Sequence, residues 1–160
     1  MNILAIDPGS TESAYCIMND EYKPLWSAKR DNDELLTRLP VLINGYNVEY
    51  VVIEMIASYG MKVGQEVFDT CVWIGRFQER CENRGHDFVS VKFVFRKDVK
   101  MNLCGSMRAK DSNIRQALID RFGVVGIKSK PGWFYGFKKD IWSAGGVAVT
   151  FLDKLKESAK

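Results

Sequence analysis

The sequence predicts a mixed α/β fold, and three observations support this prediction. Strand-like runs joined by tight turns fill residues 2–28, which indicates a β-meander. The apolar, β-branched run 50–53 is typical of a strand buried on both faces in a parallel sheet covered by helices. Apolar residues then recur at helical spacing in several later segments. With 160 residues, the whole chain 1–160 is expected to form a single domain.

The first third of the chain predicts three strands and a helix. We expect the strands at 2–7, 13–18 and 23–28. Residues 31–33 provide an N-cap, and Pro40 is expected to interrupt the following helix or to end its first part. The apolar side of this helix is defined by Leu35, Leu36, Leu39 and Leu42.

The middle of the chain predicts a loop at 55–62, a helix from about 63 to 84 and a strand at 87–95. The predicted buried face of the helix carries Val67, Cys71, Ile74 and Phe77 or Gln78. Another face carries three arginines at four-residue spacing, Arg76, Arg80 and Arg84. These arginines could bind DNA, or they could form an ordinary solvated basic stripe.

Residues 96–100 are expected to begin a short helix or turn. A second clean amphipathic helix is predicted at 114–122, ended by Gly123. The segment 124–137 is too rich in glycine and proline for a regular element, which predicts a long loop that is functional or mobile.

The last predicted helix opens at 138–140 and has a body of small residues that includes Gly145 and Gly146. Glycine inside a helix costs about 1 kcal/mol relative to alanine, which suggests close packing of this helix on the sheet. Residues 154–160 are expected to form a frayed tail.

Composition excludes several classes of protein. No apolar run is long enough to cross a membrane, and the N-terminus lacks the basic region of a secretory signal. Cys16, Cys71, Cys81 and Cys104 lie far apart, as expected of reduced thiols, and the single His86 argues against Ser-His or Cys-His catalysis. We therefore expect a cytoplasmic protein.

Charge is distributed unevenly along the chain. Residues 1–80 carry 7 basic and 12 acidic side chains, a net of −5, whereas residues 81–160 carry 16 basic and 8 acidic, a net of +8. A basic half beside an acidic half suggests a surface for a polyanion next to a site that holds carboxylates.

Three acids stand at the ends of predicted elements. Asp7 ends the first strand before Pro8-Gly9, Glu54 ends the run 50–53, and Asp140 begins the last helix. Each has an ordinary alternative: a turn residue, an exposed strand end and an N-cap. Together they could hold two divalent ions, and such a pair hydrolyses phosphodiesters by attack of water. Oxygen ligands favour Mg²⁺.

These motifs resemble the RuvC-type Holliday junction resolvases of the RNase H-like superfamily. The resemblance rests on I-D-P-G-S-T at the start, V-V-I-E at 51–54, the stretch from Gly64-Gln65, residues 110–116 and the small-residue helix after Asp140. It spans nearly the whole chain, and the motif sequences are closest to those of bacteriophage-encoded members. A phage protein would act in the host cytoplasm.

The resemblance implies a five-stranded mixed sheet, with three antiparallel strands followed by parallel ones and helices on both faces. It implies a homodimer that nicks paired strands of a four-way DNA junction with two Mg²⁺ ions per site, for which Mn²⁺ may substitute. Asp7, Glu54 and Asp140 match the family's acids, but Ser143 stands where the family has a fourth. Asp111 is our candidate replacement, with a helix N-cap as its alternative role.

Further residues are candidates for contact with branched DNA. Four basic side chains could hold phosphates near the acids without reading bases: Lys97, Lys100, Arg108 and Lys110. By the same resemblance, Tyr59 stands where the family has an aromatic that stacks on bases near the junction centre. The alternative for Tyr59 is a partly buried loop tyrosine.

Three other interpretations compete with this one. One is a different nuclease on the same fold, such as a debranching enzyme or an RNase H. Another is a non-catalytic protein that binds branched DNA, which Ser143 would favour. The sugar-kinase and actin class of ATPases also opens with a strand ending in D-x-G. The chain is too short for its two domains and lacks a second glycine-rich phosphate loop.

Overall fold

A five-stranded sheet with strand order β3-β2-β1-β4-β5 organises the fold. The computed structural model describes residues 1–83 and 89–160. The strands are β1 (Asn2–Asp7), β2 (Glu12–Asn19), β3 (Pro24–Asp31), β4 (Val48–Met55) and β5 (Ser90–Phe95). Strands β1, β2 and β3 pair antiparallel, whereas β4 pairs parallel with both β1 and β5. The predicted mixed sheet is confirmed, and the carboxyl ends of β1, β4 and β5 share one edge.

Helices cover both faces of the sheet, as predicted. They are α1 (Asn32–Gly45), α2 (Gln65–Glu82), α3 (Arg96–Cys104), α4 (Asp111–Phe122) and α5 (Ile141–Ser158). Helices α1 and α2 bury one apolar cluster against the sheet, and α3, α4 and α5 bury another against its opposite face. Within the described ranges, none of these helices could cross a lipid bilayer.

The predicted strands and helices are present, with shifts at their ends. Strand β3 continues three residues beyond the predicted 23–28, so Asp31 is both its last residue and the N-cap of α1. The Asp31 side chain makes no capping hydrogen bond. Arg84 and residues 87 and 88, which belong to a predicted helix and strand, lie outside the described residues.

The prediction that Pro40 breaks the first helix is wrong, because α1 runs through it to Gly45. Proline has no N–H to donate, so the helix lacks one backbone hydrogen bond at this point. The neighbouring Leu39, Leu42 and Ile43 are buried in the core. Burial of such side chains is worth about 1.5–3 kcal/mol each, which offsets the lost bond.

The predicted buried face of α2 is confirmed at Ile74 and Phe77 and is wrong at Cys71. The structure buries Thr70, Ile74, Phe77 and Cys81, whereas Cys71 is exposed. Thr70 can occupy a core position because its hydroxyl donates a hydrogen bond of 2.7 Å to the carbonyl oxygen of Glu66. The periodicity of apolar residues cannot predict that a polar residue such as Thr70 is buried.

Helix α5 packs closely on the sheet, as predicted, but its two glycines face other partners. A Cβ on Gly145 would lie 2.9 Å from the Phe137 ring, and one on Gly146 would lie 3.1 Å from Ile114 and 3.2 Å from Val99. The missing side chains therefore make room for the preceding loop and for α3 and α4.

The predicted frayed tail at 154–160 is also wrong, since α5 continues to Ser158. Lys154 pairs with Asp98 at 3.0 Å, and Lys156 donates to the carbonyl oxygen of Asp20 at 2.7 Å. These contacts tie the last turns to α3 and to the turn after β2.

The segment 124–137 is irregular apart from a small hairpin, β6 (Gly126–Ile127) with β7 (Lys130–Pro131). Phe134 and Phe137 are buried, and both rings pack against Trp142 of α5. The segment is therefore anchored to the core by its aromatic side chains.

Candidate active site

Asp7 and Glu54 lie side by side at the carboxyl edge of the sheet. Ile6 of β1 pairs in parallel with Ile53 of β4, so the next residue on each strand is also adjacent, about 4.8 Å apart across the ladder. Ile6 and Ile53 belong to the cluster under α1 and α2. Because side chains alternate along a strand, Asp7 and Glu54 point to the opposite face, where α3, α4 and α5 pack.

A hydrogen-bonded turn fixes the position of Asp7. The Gly9 N–H donates to Ser13 Oγ at 3.1 Å, and Asn32 Nδ2 donates to the Gly9 carbonyl oxygen at 2.8 Å. Ser13 Oγ donates in turn to Asn32 Oδ1 at 2.6 Å, and both side chains are buried. A Cβ at Gly9 would lie 2.3 Å from the carbonyl oxygen of Glu12, so only glycine fits.

Arg96, the first residue of α3, joins two of the predicted acids. Its Nη1 donates to Glu54 Oε1 at 3.1 Å, and its Nη2 contacts Asp111 Oδ1. Asp111 is not the N-cap of α4, because Lys110 is, with its N–H donating to Asn113 Oδ1 at 2.8 Å. The alternative role considered for Asp111 is therefore wrong, and its carboxylate faces the site instead.

Asp140 occupies the N-cap position of α5 but makes no capping hydrogen bond with its side chain. Its carboxylate instead accepts a 2.7 Å bond from Lys29 Nζ on β3. Glu12 Oε2 lies 3.6 Å from the same ammonium group. Lys139, just before Asp140, has φ +43°, a left-handed conformation that is costly for a non-glycine residue and is often found at functional sites.

The acids crowd one another electrostatically. Burial raises the pKa of Asp7 to about 8, and the carboxylates of Glu54, Asp140 and Asp111 add to the rise, while Arg96 opposes it. Burial also raises the pKa of Glu54, against the lowering effect of Arg96. All four predicted acids therefore share one neighbourhood, in which the negative charge of the other three disfavours ionisation of Asp7.

The acids are not arranged as a coordination shell. Across residues 1–83 and 89–160, no three carboxylate, imidazole or thiol groups are placed so that they could hold a metal ion. Two of the predicted ligands are held by cations of the chain, Asp140 by Lys29 and Glu54 by Arg96. Carboxylate oxygens suit Mg²⁺ chemically, but a metal would have to displace these partners. The metal-ligand role remains a prediction.

Lys29, Arg96 and Glu12 are site residues that sequence reasoning missed. The position of Arg96 in the sequence was a usable signal, because Arg96 directly follows β5 and Glu54 is the last residue but one of β4. Both residues therefore lie at the carboxyl edge of parallel strands. No local signal marks Lys29. It reaches the site through the strand register. Ala14 of β2 lies opposite Asp7 of β1 on one side and opposite Lys29 of β3 on the other.

Tyr59 is brought close to the basic candidates of α3. It is 58% exposed and, with Arg96, Lys97, Lys100 and Met107, lines a groove of about 270 Å³ beside the acids. The alternative of a partly buried tyrosine is not supported. Arg108 and Lys110 are exposed in the segment that leads into α4. Contact of these five candidates with DNA remains a prediction.

Arg76 and Arg80 lie elsewhere. They line a separate groove of about 330 Å³ on the face covered by α1 and α2, with Leu36 and Glu79. The Arg76 guanidinium lies 4.1 Å from the Trp73 ring centroid. The structure does not bring these arginines to the acids, so their predicted contact with DNA has no support from the geometry.

Solved Holliday junction resolvases share this fold. The structure of Thermus thermophilus RuvC in complex with a Holliday junction substrate is 15% identical, covers 99% of this chain and 96% of that chain, and gives a TM-score of 0.75. The yeast mitochondrial resolvase Ydc2 is 12% identical over 97% of this chain and 80% of that chain, with a TM-score of 0.67. Fowlpox virus resolvase, solved with junction DNA, is 13% identical over 97% of this chain and 99% of that chain, with a TM-score of 0.58.

The sequence matches no protein-family model and no curated protein. The structural likeness therefore concerns the fold, and it confirms the RNase H-like sheet that the resemblance implied. Bacteriophage origin stays a prediction.

Proposed function

We propose that this chain, which has the fold of the RuvC-type resolvases, is a metal-dependent endonuclease that cuts four-way DNA junctions. The observation that carries the proposal is the crowding of Asp7, Glu54, Asp111 and Asp140 at the carboxyl edge of a RuvC-like sheet. Two of the similar proteins, the Thermus and fowlpox resolvases, were solved with Holliday junction DNA.

Asp7, Glu54 and Asp140 would hold the metal, with Asp111 as a fourth acid, and we expect two Mg²⁺ ions that Mn²⁺ could replace. Bound divalent ions supply an acidified water and stabilise the leaving oxygen. The Gly9 turn keeps Asp7 in place throughout. Lys29 and Arg96 neutralise Asp140 and Glu54 in the metal-free protein and, once displaced, would be free to contact a DNA phosphate.

The groove beside Tyr59 supports a role in DNA binding. Arg96, Lys97 and Lys100 line it with positive charge, and Tyr59 offers an exposed ring. Lysine and arginine bind phosphates without reading sequence, and an aromatic ring stacks on any base. This combination suits recognition of junction shape. Arg108 and Lys110 would extend the phosphate contacts toward α4.

Paired nicks require two sites, and the exposed side of α2 offers a surface for a second copy. Phe68 and Val72 are 57% and 62% exposed on one stripe, and Gly75 continues it with nothing within 4 Å of its missing Cβ. A Val72→Glu variant should sediment as a monomer, and a variant that remains a dimer would contradict this surface.

The central experiment is cleavage of a labelled synthetic four-way junction. The wild type should cut in Mg²⁺ but not in EDTA, and Asp7→Asn should bind the junction while cutting about 1,000-fold more slowly, about 4 kcal/mol in the activation barrier. Asp33→Asn, an exposed aspartate of α1, is the matched control and should cut normally. Normal cutting by Asp7→Asn would exclude Asp7 from the chemistry.

Two alternatives are separated by the same assay. Faster cutting of flaps, linear duplexes or RNA–DNA hybrids would indicate a different nuclease on this fold. Binding without cleavage in both Mg²⁺ and Mn²⁺ would indicate a branched-DNA-binding protein. Ser143 in place of a fourth acid, and the cations that already neutralise Asp140 and Glu54, are the features that favour the second alternative.

A further inference from the structure

A second aromatic groove lies at the β3 edge of the sheet, away from Tyr59. It has a volume of about 280 Å³, just below the usual range for ligand sites. Strand β3 and the segment after the β6–β7 hairpin line it with Leu25, Trp26, Ser27, Trp133, Tyr135 and Phe137. Three large rings remain 44–46% exposed there, those of Trp26, Trp133 and Tyr135. So much exposed aromatic surface in one place marks a binding surface.

Two of the rings are fixed by contacts with the core. The Trp133 ring stacks on Phe122, with centroids 6.0 Å apart and planes inclined by 22°. Trp26 Nε1 donates a hydrogen bond of 3.2 Å to the Tyr15 hydroxyl, and Tyr15 is buried. Rings held in this way lose little conformational entropy when a ligand stacks on them.

The charge around the groove favours a polyanion. The segment 123–139 contains four lysines, Lys128, Lys130, Lys138 and Lys139, and no acidic residue. All four lysines are exposed, and none forms an ion pair with any of the residues that the structure describes. A basic surface interleaved with exposed aromatic rings is the pattern of proteins that bind single-stranded nucleic acid.

Two segments of the chain run from the groove toward the acidic site. Lys29, which binds Asp140, lies three residues beyond Trp26 on β3, about 10 Å along the strand. Phe137 leads through Lys138 and Lys139 directly to Asp140. A DNA strand with a phosphate at the acids would therefore reach the groove within about three base steps of 3.4 Å. The Tyr59 groove lies toward β5, so the two grooves flank the acids on opposite sides.

We propose that this groove binds an unpaired base of the DNA strand being cut, stacked on Trp133 and Tyr135, with the lysines on the adjacent phosphates. The inference rests on the proposed function, since it takes the acids as the place of the scissile phosphate. It adds a second contact with unpaired bases to the one predicted for Tyr59. A strand held on both sides of the acids is fixed in position at the point of cutting.

The test measures the affinity of the full chain for a four-way junction and for oligothymidylate in EDTA, where no cutting occurs. Stacking on an aromatic is worth about 1–3 kcal/mol per base, so Trp133→Ala should weaken binding by about 5- to 150-fold. Tyr135→Ala should weaken it as well, whereas Trp133→Phe should restore most of the affinity. Ile127→Ala is the matched control, because Ile127 is 65% exposed on the adjacent β6–β7 hairpin but does not line the groove.

Fluorescence gives a second readout. Oligothymidylate should quench tryptophan emission in the wild type and quench it less in Trp133→Phe. The inference would be overturned if the DNA affinities of Trp133→Ala and Tyr135→Ala were within twofold of the affinity of Ile127→Ala. If such variants bind normally while the wild type cuts junctions, only the groove proposal fails. A wild type that binds no DNA would overturn the proposed function itself.

Discussion

Replacing Asp7 by asparagine should stabilise the metal-free protein at pH 8. Burial and the neighbouring carboxylates raise the pKa of Asp7 from 3.8 to about 8. Between these values the folded protein keeps a proton that the unfolded chain has lost, so the free energy of unfolding falls as pH rises. Asparagine resembles the protonated acid in shape and carries no charge. The two proteins should therefore be equally stable near pH 4 and diverge toward pH 8.

The size of the effect follows from the shift. A change of about 4 units at 1.36 kcal/mol per unit gives an upper limit of about 6 kcal/mol. The Asp7 side chain is only partly buried and its titration is shared with Glu54 and Asp140, so we expect about 2 kcal/mol. For a chain of this size, that difference raises Tm by about 4–8 °C.

Thermal unfolding in EDTA at several pH values between 4 and 8.5 measures the difference. Asp33→Asn serves as the control and should follow the wild type at every pH. In saturating Mg²⁺ the order should reverse, because a ligand at 100 times its Kd stabilises by about 2.7 kcal/mol and Asp7→Asn would bind it poorly. An Asp7→Asn variant that is less stable than the wild type at pH 8 in EDTA would refute the reasoning.

Three further substitutions test the scaffold, each by urea unfolding. Gly9→Ala should lower the free energy of unfolding by about 3 kcal/mol, because its Cβ would overlap the carbonyl oxygen of Glu12; an unchanged stability would contradict the rigid turn. Pro40→Ala should raise stability by about 1 kcal/mol by restoring a backbone hydrogen bond of α1, and a loss of stability would show that the proline is required. Asp153→Asn should cost about 2 kcal/mol at pH 7, since it removes the negative charge and one of the two oxygens that accept bonds of 2.7 and 2.8 Å from Arg121. Burial raises the pKa of Asp153, but the hydrogen bonds from Arg121 outweigh burial and lower it below 3.8. The cost of Asp153→Asn should therefore vanish as pH falls below 3.8, and a cost that persists there would exclude the ion pair.

Local patterns were sufficient for the strands and for the neighbourhood of the acids. Strand β4 is buried along a continuous apolar run, so its type and the position of Glu54 could be read from the sequence. The grouping of Asp7 with Glu54 follows from the rule that parallel strands end at one edge of a sheet. The resemblance to resolvases added Asp111 and the topology.

What local patterns missed depends on contacts between distant residues. The continuation of α1 through Pro40 is supported by burial of its neighbours, which propensity does not include. The ion pairs of Lys29 with Asp140 and of Arg96 with Glu54 join residues 111 and 42 positions apart. Such partners are fixed by strand register and helix placement, and these emerge only from the assembled fold.

Acids from distant parts of the chain meet at this site, and this has a consequence during synthesis. Asp7 is translated well before Asp140 and the core helix α5 that follows it. A ribosome-bound chain that stops before Asp140 lacks both this carboxylate and the apolar face of α5 that covers one side of the sheet. An incomplete polypeptide therefore cannot assemble the acid cluster, so if the cluster cuts DNA, that activity arises only once α5 has been made.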